Sequence, residues 1–146
     1  MRLEVLLRGA LVAVALVLSG FHCATAEERL AIKGYDPVAY FTDGKPTPGQ
    51  PEHEIAWRDA KWRFASAQHR ELFLKEPEKY APQYGGYCAY GVAVGKKFEV
   101  DPEAWAIVDG RLYLNSSKGV HKDWLADKTA MIKAAEARWP EVEVKN

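Results

Sequence analysis

The run Trp105-Ala106-Ile107-Val108, Asp109-Gly110, Arg111-Leu112-Tyr113-Leu114 constrains this chain more than any other segment. Residues on either side of an Asp-Gly pair alternate in character, and Asp-Gly tolerates the positive φ angles of a tight two-residue hairpin turn. Ile55 with Trp57, then Trp62 with Phe64, alternate in the same way, with Asp59-Ala60-Lys61 as a tight connection, and predict a second hairpin. Leu30 and Ile32 alternate before Gly34 as a short strand, and Pro37 bars a regular sheet interior at the next step. The string TDGKPTPGQP, Thr42 to Pro51, reads as a surface loop.

Two helices are interleaved with these strands. Ser66 is a good N-cap for a helix over Ala67 to Lys75 that buries Leu72 and Phe73 and ends at Pro77. Ser116 or Ser117 caps a longer one, in which Val120, Trp124, Met131, Ala135 and Trp139 recur at helical spacing until Pro140 stops it. Between them, Gly85, Gly86, Gly91 and Gly95 predict a loop with unusual backbone angles over 81–97. No internal repeat or low-complexity segment is visible. The order implies an α+β domain, a small antiparallel sheet of hairpins packed by two or more helices.

The first 26 residues read as a secretory signal: Arg2 and Arg8, the apolar run Leu11 to Leu18, and Ala24-Thr25-Ala26 as a small-x-small cleavage site. The apolar run is well short of the roughly 20 residues a spanning helix needs. The expected mature protein, residues 27–146, is one domain, periplasmic or secreted, with no membrane span after cleavage. Losing Arg2, Arg8 and Glu4 leaves 18 basic and 19 acidic residues, so nothing electrostatic points to nucleic acid. Cleavage also removes Cys23, leaving Cys88 as a lone cysteine: a free thiol, a ligand or an intermolecular partner.

The candidate chemistry is concentrated in 34–91. Cys88 lies in GGYCAYG, where glycines allow backbone to approach a bound group. His69 falls in the first turn of the Ser66-capped helix, where the helix dipole disfavours the imidazolium and favours the neutral, ligating form. Tyr35, Tyr40, Tyr80, Tyr84, Tyr87 and Tyr90 cluster around the same segment, either lining a small pocket or filling the core, and Asp36 before Pro37 suits a turn carboxylate. His53 and His121 have no His or Cys partner at a spacing of two to four residues, which predicts partly exposed surface positions. Met131, the one methionine left after cleavage, sits at a core phase, against a methionine-rich copper site. Ser66 lacks G-x-S-x-G surroundings, and no phosphate-cradling glycine motif occurs. A Cys88 and His69 dyad is the best enzymatic constellation. Asn115-Ser116-Ser117 is a sequon with nothing else to suggest a glycosylating host.

The DPV step Asp36-Pro37-Val38, Trp62, the pattern F-x-S-x-x-H-x-x-x-F-x-x-x-P-x-x-Y formed by Phe64, Ser66, His69, Phe73, Pro77 and Tyr80, and the following GGYCAYG together resemble the YHS family. Its small domains occur alone in bacterial secreted proteins and attached to metal-handling proteins and oxygenases. The resemblance spans about half the mature chain. Metal-handling relatives carry cysteines where this chain has Ala39 and His69, so two soft ligands are absent. The resemblance implies a possible ligand at His69 and structural roles for Asp36, Phe64, Ser66 and Tyr80. The resulting expectation is a binding module for copper, zinc or a small ligand, with metal contacts from Cys88 and His69 and ligand contacts from Tyr35, Asp36, Tyr84 and Tyr87. The alternatives are a cysteine enzyme using Cys88 with His69, and a structural or interaction domain.

Overall fold

The computed structural model describes residues 28–145, so the expected signal, its cleavage site and Cys23 lie outside the described residues. The fold is α+β. A three-stranded sheet holds β1 (Arg29–Leu30), β3 (Ala60–Phe64) and β2 (Gln50–Trp57) in that order, and β4 (Asp101–Val108) pairs with β5 (Arg111–Asn115). The helices are α1 (Ala39–Thr42), α2 (Ala67–Lys75), α3 (Pro77–Tyr80), α4 (Ala89–Ala93), α5 (Lys118–Ala126) and α6 (Lys128–Glu143). Among the described residues no helix is long and apolar enough to cross a membrane.

The chain contains the same supersecondary unit twice, contrary to the expectation of no repeat. Each unit opens with left-handed backbone, Ile32, Lys33 and Gly34 in one and Tyr84, Gly85 and Gly86 in the other. Each continues through a short helix, α1 or α4, into a hairpin. The hairpins match in register: Gln50 and Asp101 are 51 positions apart, as are the last strand residues Phe64 and Asn115. Both ladders break at the same place, after Gln50↔Phe64 and after Asp101↔Asn115. Both turns place their first residue at positive φ, Arg58 at 52° and Asp109 at 51°. Each unit closes with a nine-residue helix capped by a serine, Ser66 or Ser117, whose hydroxyl accepts from the third residue on. The matched pair Trp62 and Phe73 stacks at 5.7 Å between centroids, and Tyr113 with Trp124 packs at 5.3 Å.

Several local expectations change. Ile32 belongs to the left-handed turn Ala31–Gly34 instead of extending β1, and Ala60 and Lys61 are strand residues, leaving a two-residue turn at Arg58 and Asp59. Pro77 starts α3, since a first-turn proline forfeits no helix bond. The glycine-rich segment contains α4, where a Cβ on Gly91 would lie 2.7 Å from Phe98, so the glycine there serves close packing. The last helix is two helices that meet at Asp127, and Pro140 lies inside α6. Trp62 and Trp124 are fully buried, while Trp57, Trp105 and Trp139 pack at the margins of two apolar clusters, one of which takes in Cys88.

Candidate functional site

Asp36 follows the first left-handed turn by two residues, and its backbone N–H donates to Thr47 O at 2.8 Å, which fixes it against the loop before β2. Its side chain is fully buried. Oδ1 accepts from the N–H of Val38 at 2.8 Å and of Ala39 at 3.3 Å, starting α1, while Oδ2 accepts from Ala65 N–H at 2.8 Å, where β3 passes into α2. The fourth partner is the His69 ring, with Nδ1 2.6 Å from Oδ2. A carboxylate can only accept, so the proton of this contact is on Nδ1.

His69 is placed by the Ser66 cap, its N–H donating to Ser66 Oγ at 3.1 Å. With Nδ1 committed to Asp36, the other ring nitrogen is the reactive one. Nε2 lies 3.3 Å from Thr42 Oγ1 and 4.0 Å from Asp43 Oδ1, and the side chain keeps 15 % of its surface exposed. A carboxylate behind an imidazole, with the far nitrogen beside a hydroxyl and a second carboxylate, is an arrangement that orients histidines for metal or proton work. Among the described residues no group of three or more His, Cys, Asp or Glu side chains is gathered to hold a metal ion. The donor set here therefore offers one imidazole and one carboxylate.

Cys88 takes the position of Asp36 in the second unit, two residues beyond the left-handed turn, with its N–H donating to Phe98 O at 3.0 Å. The thiol is buried, and its partners are not those of His69. Sγ accepts from Gly91 N–H at 3.4 Å, as a cap for α4, and lies 3.6 Å from Asn115 Oδ1. Tyr90 N–H donates to the same oxygen at 3.1 Å, which fixes the amide orientation. Asn115 Nδ2 must then donate to His121 Nδ1, 3.0 Å away, which makes His121 a neutral imidazole with its proton on Nε2. Burial holds its pKa below the usual histidine range. Cys88 thus presents a hydrogen-bonded thiol to an amide, and His69 is not among the hydrogen-bonding partners of its sulfur.

The structure brings Asp36 and His69 together and places Cys88 in a separate network. Tyr35 is half-buried against the first apolar cluster and bridges Pro48 through its backbone. Tyr87 lies under the Arg29 guanidinium at 3.8 Å. Tyr84 is buried, and its hydroxyl has no hydrogen-bonding partner among the described residues. Sequence reasoning missed Asn115 and the tie to His121: Asn115 is fully buried, which removes it as an accessible glycosylation site. The available signal was an amide ending the apolar alternation of β5, where a buried polar group must find partners.

Comparison of the chain with protein-family models, with characterised proteins and with solved structures finds no match. What the two networks can do rests on their own geometry.

Proposed function

We propose that this chain is an exported, YHS-like binding module whose contact atom is His69 Nε2, taking up copper, zinc or a small electron-accepting ligand. The observation that carries this is the buried Asp36 carboxylate 2.6 Å behind Nδ1, which fixes the ring and leaves Nε2 beside Asp43. One imidazole and one carboxylate suit an open, exchangeable site better than a closed tetrahedral one. Cys88 contributes packing and a cap in this reading, and the cysteine-enzyme alternative loses support because a nucleophile needs its base within hydrogen-bond reach.

Calorimetric titration of the protein with zinc and with copper tests it. Stoichiometric binding should vanish in His69→Ala, weaken by about 10- to 100-fold in Asp36→Asn, and persist in Cys88→Ser. Absence of binding in the unaltered protein ends the metal reading.

The structural reading is favoured by a specific fact as well: Asp36 joins α1, the β3 to α2 junction and α2 in one buried set of bonds. Under it, His69→Ala lowers the melting temperature and leaves every titration unchanged.

A further inference from the structure

A second site is suggested by one position where the two units differ in polarity for the same backbone. Ile32 and Tyr84 occupy matching places in the left-handed turns, at φ 51° and 59°. Ile32 is fully buried, so an apolar side chain satisfies this turn. Tyr84 is 7 % exposed and carries a buried hydroxyl with no partner among the described residues, a group the fold does not require. An unpaired buried hydroxyl is destabilising and calls for an explanation.

Tyr84 lines a cleft of about 280 Å³ together with Arg58, Glu78, Arg111, Glu136 and Trp139. Arg58 pairs with Glu78, and Arg111 lies 3.4 Å from Glu136. Both pairs are exposed, so each is weak and readily exchanged for a ligand's own charges. Burial, with Tyr113 and Glu136 nearby, keeps the Tyr84 phenol protonated and therefore a donor. The Trp139 ring adds an aromatic wall.

We propose that this cleft binds a small zwitterion, an α-amino acid with a flat apolar side chain. Its carboxylate meets Arg111 or Arg58 and, once the exposed Arg111 and Glu136 pair has parted, the Tyr84 hydroxyl; its ammonium meets Glu136 or Glu78, and its side chain lies against Trp139. The cleft shares no residue with the Asp36 and His69 pair, so this stands independently of metal binding.

The test is calorimetry of the protein with L-phenylalanine, beside 3-phenylpropionate, which lacks the ammonium, and phenethylamine, which lacks the carboxylate. Saturable one-to-one binding of L-phenylalanine is expected, with either half-ligand weaker by roughly tenfold, the worth of a charged hydrogen bond. Tyr84→Phe should weaken binding by about fivefold, one neutral hydrogen bond, and His69→Ala should leave it unchanged. Failure of L-phenylalanine to saturate, equal affinity for a half-ligand, or unaltered affinity in a Tyr84→Phe protein with native circular dichroism would each overturn the proposal.

Discussion

The two units solve one structural problem with different chemistry. In both, the residue two places beyond a left-handed turn must tie that turn to a short helix and to the end of a hairpin. Asp36 does this with a carboxylate that accepts three backbone N–H groups directly and holds an imidazole with its free oxygen capacity. Cys88 has only a weak sulfur acceptor, so Asn115 extends from β5 to complete the junction and passes the chain on to His121. The difference carries over to the two histidines. A charged acceptor holds the Nδ1 proton of its histidine and leaves the Nε2 lone pair beside Thr42 and Asp43, whereas an amide donor occupies the Nδ1 lone pair of the histidine it reaches. The first network leaves its histidine an acceptor nitrogen, Nε2, and the second leaves His121 only a donating N–H.

The largest expected consequence is at the junctions themselves. Asp36→Ala leaves three N–H groups of Val38, Ala39 and Ala65 and the Nδ1 proton of His69 without their acceptor, and should destabilise the protein by about 3–5 kcal/mol in urea unfolding. Cys88→Ala, at the matching place, removes a weak cap and a small apolar contact and should cost about 1–2 kcal/mol. Equal losses would mean that the carboxylate is no more important than the thiol. Asn115→Ala should fall between them, at about 2–3 kcal/mol, because Tyr90 N–H and His121 lose a partner.

The next effect concerns His121 and pH. Burial holds the folded pKa of His121 below the ordinary histidine value of about 6.5, so as pH falls the unfolded chain binds its proton more readily than the folded one. Its contribution is fully present above about pH 6.5 and is lost as pH falls below that value. An imidazolium cannot accept from Asn115 Nδ2, which is the bond that fails. The difference in stability between the unaltered protein and His121→Gln, followed from pH 7.5 to 5, should shrink with acid. A difference independent of pH would mean that His121 is not held neutral.

Much of this architecture was legible from residue patterns, and the reasons for the rest are physical. The hairpin at Asp109-Gly110 and the helix Ala67–Lys75 were readable because turn chemistry and capping are local. The repeat was not, since Pro51 with Pro102, Glu52 with Glu103, Ser66 with Ser117 and Leu74 with Leu125 are the identities along the matched hairpins and helices, and shared backbone geometry leaves little trace in residue names. Asp36 as a turn carboxylate followed from the Pro37 beside it, but its tie to His69 spans 33 positions and depends on tertiary placement. Cys88 and His69 share one dense block of sequence, which is what suggests a common site. In space each turn pairs with its own hairpin and helix, so the thiol meets Asn115 while the imidazole meets Asp36.

The smallest effect concerns the place where the second unit departs from the first without structural need. Tyr84 buries a hydroxyl unpartnered among the described residues, where Ile32 buries only hydrocarbon. Tyr84→Phe keeps the ring, its packing at 6.1 Å from Tyr113 and 5.8 Å from Trp139, and the left-handed backbone, and removes only the unpaired group. The protein should therefore become more stable by about 0.5–1 kcal/mol, read as a rise of roughly 2–5 °C in melting temperature. A fall in melting temperature would show that the hydroxyl already has a partner in the free protein. A rise coupled to weaker L-phenylalanine binding is the combination expected of a group kept for a ligand at a cost to the fold, and it would mark Tyr84 as the point where the second unit specialised.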